Sequence, residues 1–124
     1  MFFFLPPAVP LLKRLALRGS SVAAFYLGMA HEQGAVGLPV NLNRARYYYE
    51  LASARGNAEA KYNLAVFHQQ GLGGLAASEA EAGRLLAEAA ADGVPEARSA
   101  LGLQDRRSAD VAAPTVKQKK SVVQ

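Results

Sequence analysis

The chain has 124 residues, 51% apolar and 19% charged, so it is a single small folded unit or a short array of repeats; two domains with separate cores are excluded. Twenty-five alanines, against five Phe, five Tyr and no Trp, favour closely packed helices over a β-sandwich. Without cysteine there is no disulfide, thiolate metal site or cysteine nucleophile. The net charge of +4 lies at the two ends: residues 20–104 carry six basic groups against eight acidic ones, so no basic face for nucleic acid is expected of the folded part.

Residues 1–12 are uncharged and apolar but are interrupted by Pro6, Pro7 and Pro10, and they are too few to span a bilayer. Lys13 and Arg14 follow this stretch, whereas a secretory signal places its charge in front, so secretion is disfavoured. No acid precedes Glu32, and a basic, acid-free start also resembles a mitochondrial presequence. The expected compartment is therefore intracellular, cytoplasm or mitochondrion.

Internal repetition organises the rest of the chain. Residues 19–55 laid on 56–92, a shift of 37, give eleven identities, among them Gly19/Gly56, Ala23/Ala60, Leu27/Leu64, His31/His68, Gly34/Gly71, Ala45/Ala82 and Ala52/Ala89. The register continues outward: Gly93, Glu96, Ala97 and Leu101 match Gly56, Glu59, Ala60 and Leu64, and Leu11-Leu12 match Tyr48-Tyr49. The expected organisation is an irregular apolar start over 1–7, the second helix of a truncated repeat over 8–19, whole repeats over 20–55 and 56–92, the first helix of a further truncated repeat over 93–104, and a disordered basic tail over 105–124.

Each whole copy reads as two helices. Ala23, Leu27, Ala30 and His31, like Ala60, Leu64, Phe67 and His68, follow i, i+4, i+7, i+8 spacing, one face of a helix. Ser20 or Ser21 and Asn57 suit N-caps, Pro95 a first turn, and Gly34 and Gly71 left-handed helix ends. The second helices carry Ala45, Tyr48, Tyr49 and Ala52, then Ala82, Leu85, Leu86 and Ala89. The predicted class is all-α: a short α-solenoid of antiparallel helical hairpins, each stabilised by its neighbours.

The run Ala60-x-Tyr62-x-Leu64-x-x-x-His68-x-x-Gly71, followed by Ala82-x-x-Leu85-Leu86-x-x-Ala89-Ala90-x-x-Gly93, resembles the Sel1-like repeat, a relative of the tetratricopeptide repeat. The resemblance covers residues 8–104 and implies a protein-interaction scaffold. His31 and His68 stand where that pattern has Tyr, and Asn41 and Ser78 lie near its usual Asp. Within the class, residues 48–53 and 85–93 are also similar to an animal mitochondrial stress-signalling branch. That similarity implies a mitochondrial precursor whose array engages a stress-responsive kinase.

No set of residues adds up to a catalytic site, and the chain is expected not to be an enzyme. His31 and His68 occupy equivalent packing positions, and as a two-His metal site they would lack further ligands. His31-Glu32-Gln33-Gly34-Ala35 has no second His where a zinc-protease motif needs one, and Gly71-Leu72-Gly73-Gly74 follows a helix and lacks Gly-Lys-Ser/Thr. No cofactor is implied. Tyr48 and Tyr49 take the register of Leu85 and Leu86 and read as packing between helices, which leaves Tyr47 and its counterpart Arg84 to face outward.

The expected function is an adaptor that binds a peptide or partner domain on the surface lined by the first helices. Candidate contacts are the residues there that differ between copies, Ala24 against Lys61 and Tyr26 against Asn63, together with Phe67 and Arg98. The alternative is a truncated isoform or fragment that caps or competes with a longer array, self-associating through apolar end helices such as that of Leu11, Leu12 and Leu15. Neither reading involves nucleic acid or a transmembrane segment.

Overall fold

The computed structural model describes residues 8–103; residues 1–7, read above as an irregular start, and residues 104–124, which include the basic tail read above over 105–124, lie outside the described residues. Six helices follow one another: α1 Ala8–Leu17, α2 Ser21–Gln33, α3 Leu42–Ala54, α4 Ala58–Gln70, α5 Glu79–Ala91 and α6 Pro95–Ala100. Each packs chiefly on its neighbours in the chain, and the pairs α2/α3 and α4/α5 are the most extensive, so the architecture is a short helical solenoid.

The helix ends follow local chemistry and repeat at a spacing of 37. Ser20 and Asn57 accept from the backbone N–H of Ala23 and Ala60 at 3.0 and 2.8 Å, capping α2 and α4. Gly34 and Gly71 close those helices with φ of 69° each, a left-handed turn that lets the next amide reach back to Ala30 and Phe67. Asn41 and Ser78, the residues that depart from the usual Asp, cap α3 and α5 at 3.0 and 3.2 Å. Their own amides donate to the carbonyls of His31 and His68 at 2.8 Å. Each hairpin is thus tied at its loop as well as along its helices.

The core is built from alanines where helices approach closely and from a few large side chains. Ala23 and Leu27 of α2, Ala45, Tyr49 and Ala52 of α3, Ala60, Leu64 and Phe67 of α4, and Leu85, Leu86 and Ala89 of α5 belong to one buried core. Tyr49 is fully buried, with its ring 5.5 Å from that of Phe67 and perpendicular to it, so it joins the first hairpin to the second. Two polar ties add to this. Arg55 donates to the carbonyl of Ala16 at 2.6 Å, fixing α3 to the end of α1, and Arg46 donates to the carbonyl of Gly73 at 2.6 Å, holding the α4/α5 loop on α3. No helix among the described residues is long and apolar enough to cross a membrane.

Candidate partner-binding groove

Along the side where α2, α4 and α6 stand next to one another runs an open cavity of about 490 Å³. Helix α2 contributes Tyr26, Met29 and Glu32, and α4 contributes Glu59, Tyr62 and Asn63. Val94 and Glu96, at the start of α6, complete one wall. Phe25 and the hydroxyl end of Tyr49 form the floor. Tyr26 is 51% exposed, which leaves a large amphipathic ring in contact with solvent at the groove edge.

The floor is polar at one point. The Tyr49 hydroxyl donates to Glu32 Oε1 at 2.5 Å. Burial first, then the bond and the charge of Glu32, push the Tyr49 hydroxyl well above its ordinary range, so it remains a neutral donor. Glu32 sits in the last turn of α2, the end of the helix dipole that disfavours negative charge, and has no ion pair among the described residues.

Residues 21–57 and 58–94 each match the Sel1 repeat. The chain belongs to the Sel1 repeat family. A Sel1 repeat protein from Oxalobacter formigenes is 30% identical with a TM-score of 0.69; the alignment covers 73% of this chain and 26% of that one. A protective antigen present in uropathogenic Escherichia coli strains, displaying an SLR fold, is 29% identical with a TM-score of 0.66, covering 76% of this chain and 20% of that one. The chain therefore spans about a quarter or a fifth of the length of these relatives. No curated protein matches it. Sel1 repeats are generally protein-interaction modules.

In this Sel1 array the candidate contacts separate. Tyr26 and Asn63 come together in the groove. Ala24 is 0% exposed and Phe67 is 1% exposed, so neither can touch a partner, a correction to the expectation above. The register comparison singled them out because they differ between copies, but they differ to suit their packing: Phe67 fills the space beside the Tyr49 ring. Lys61 is drawn to α5 by Glu88 at 3.5 Å and Asp92 at 3.4 Å, away from the groove. Arg98 lines a smaller hollow with Ser99 and Leu103. Arg84 and Tyr47 both face outward: Arg84 pairs with Glu81 at 2.9 Å and Glu88 at 2.8 Å on its own helix, and Tyr47 lines a separate hollow with Lys13 and Arg55.

The sequence reading missed the acids of the groove. Glu59 and Glu96 occupy the same register position, one period apart, on successive first helices; that coincidence was the available signal. Both stand in first helical turns, where the helix dipole also favours an acid. His31 is buried, and its ring stacks on Tyr48 at a centroid distance of 5.7 Å with 4° between planes. Neither ring nitrogen has a hydrogen-bond partner in the protein. Desolvation first, then the charges of Arg44 and Lys13, lower its pKa. Among the described residues no cluster of three or more His, Asp or Glu could hold a metal.

Proposed function

We propose that this Sel1 array is a non-enzymatic adaptor that binds a partner protein in the groove of α2, α4 and α6, with Tyr26 and Asn63 as direct contacts. The observation that carries this reading is the groove itself: a concave, partly aromatic surface built from equivalent helices of successive repeats, the arrangement by which solenoids present extended binding surfaces. Lys61 and Arg98 take part at most from the rim, because each is directed to other surroundings. Replacing Tyr26 and Asn63 together by Ala is expected to abolish crosslinking of a partner from a photoreactive residue placed at Gln33, which lines the same groove, with helicity unchanged. Undiminished crosslinking would overturn the assignment.

A second reading is favoured by Leu11 and Leu15 of α1, which are 47% and 41% exposed on one helix. That face can pack on a further hairpin, in another copy or in a longer array that this chain would cap or compete with. Sedimentation across a wide concentration range tests it: a constant monomer mass removes it, and mass rising with concentration, and lost on Leu11→Glu, supports it. The stress-signalling role rests on the similarity of residues 48–53 and 85–93 alone, and the mitochondrial compartment on that similarity and on the basic, acid-free start of the chain; imaging of the tagged chain tests the compartment.

A further inference from the structure

The charges around the groove are unevenly distributed. Residues 8–103 carry nine Lys and Arg and eight Asp and Glu, yet the groove is lined by three of the acids, Glu32, Glu59 and Glu96, and by no Lys, Arg or His. The other five acids include Glu50, Glu81, Glu88 and Asp92, which are all paired with Arg46, Arg84 or Lys61. The groove carboxylates have no ion-pair partner among the described residues. For Glu59 and Glu96 a first helical turn offers partial compensation; for Glu32, half-buried at a helix C-terminal end, it does not.

We infer that the groove takes an arginine-bearing segment of a partner protein. The inference rests on the adaptor reading above and names the chemistry of what is bound. A guanidinium suits both halves of the lining: its planar face stacks on an aromatic ring such as that of the exposed Tyr26 or the half-buried Tyr62, and its edge donates to carboxylates. Lysine supplies the charge without the planar fork, so arginine is preferred. A cavity of about 490 Å³ has room for more than one such side chain, and three carboxylates lie along it.

The test is fluorescence anisotropy of the full chain with a labelled peptide of alternating glycine and arginine, beside versions with lysine, citrulline or glutamate in place of arginine. The expected order is arginine, then lysine, with citrulline at least tenfold weaker and glutamate not bound. Binding weakens as salt rises from about 50 to about 300 mM, because exposed charge pairs are screened. Changing Glu32, Glu59 and Glu96 to Gln keeps the side-chain shape and leaves an amide oxygen at position 32 to accept from Tyr49. This triple variant is expected to bind the arginine peptide at least tenfold more weakly with an unchanged circular dichroism spectrum. Equal binding of arginine and citrulline peptides, or indifference to the three substitutions, overturns the proposal. The chain's own Lys117, Lys119 and Lys120 are the competing occupant: if the peptide binds only after these are changed to Gln, the groove is filled in cis and the partner assignment is overturned. If the unaltered chain does not bind the arginine peptide while a partner still crosslinks from position 33, the arginine proposal alone is defeated; if the unaltered chain neither binds the peptide nor crosslinks a partner, the adaptor reading falls as well.

Discussion

The two whole repeats solve one packing problem with different pairs of side chains. In the first, Gly28 of α2 lies flat against the ring of Tyr49 on α3; in the second, the same two positions hold Ala65 and Leu86. A Cβ added at Gly28 would stand 2.6 Å from two carbons of the Tyr49 ring. The larger ring therefore requires the smaller partner, and a smaller side chain opposite admits a methyl group. What is shared between repeats is the combined volume at the contact, while the individual residues are free to trade.

The largest expected effect comes from breaking that trade. Gly28→Ala forces the Tyr49 ring out of its place between Phe25 and Phe67 and disturbs its bond to Glu32, at an expected cost of about 3 kcal/mol, the upper part of the range for overpacked cores. Tyr49→Leu alone opens a cavity and costs about 3 to 5 kcal/mol. The two together reproduce the Ala65/Leu86 pair, so the double variant should be more stable than the sum of the single costs by at least about 1 kcal/mol, read from urea unfolding. Simple additivity would show that the two repeats do not share this packing rule.

The loops differ in the same register. Gly73, at φ 65° in the second repeat, is pressed on α3: an added Cβ would lie 2.7 Å from the Leu42 carbonyl oxygen and 2.9 Å from Arg46 Cβ. Gly74, at φ 84°, has only Asn43 Oδ1 nearby, at 3.4 Å. Gly73→Ala should then cost about 2 kcal/mol or more, through left-handed strain and collision, while Gly74→Ala costs about 1 kcal/mol through strain alone. Equal losses would mean that the loop is not seated on α3 through the bond from Arg46 to Gly73.

Charge separates the repeats as well, since Arg44 beside His31 has Glu81 as its counterpart beside His68. His31 is held neutral by burial and by Arg44 and Lys13, so its pKa is lower folded than unfolded. The unfolded chain then binds a proton first as pH falls through about 6.5, and stability declines from there down toward the folded pKa. The slope for one group is at most about 1.4 kcal/mol per pH unit. His31→Phe should flatten the curve below pH about 6.5, and Arg44→Glu should shrink the slope by removing a repelling charge. A profile unchanged in His31→Phe would assign the acid sensitivity to other groups.

The fold was legible because identity at a shift of 37 coincided with helical spacing and with glycines at helix ends. Ala23, Leu27 and Ala45 are each set by their own helix pattern. The groove was legible only in outline. Tyr26 and Asn63 were found because they differ between copies, but difference alone cannot separate a surface contact from a side chain that changes with its packing partner, as Ala24 and Phe67 do. Glu32 was invisible for another reason: its position matters through Tyr49, a residue of the next helix, and that contact belongs to tertiary geometry.

The smallest expected effect sharpens the comparison of loops. Val36 occupies the register of Gly73 and has φ 47°, a left-handed conformation that a β-branched residue adopts at a cost of about 1 to 2 kcal/mol. Its side chain is 55% exposed, so little packing offsets the strain. Val36→Gly relieves the strain but adds about 0.5 to 1 kcal/mol of backbone entropy to the unfolded chain. The net expectation is a gain of no more than about 1 kcal/mol, seen as a small upward shift in the urea midpoint with an unchanged slope. A clear loss of stability would mean that the Val36 side chain has a packing role, and that the first loop, like the second, is held by contacts and not by its backbone alone.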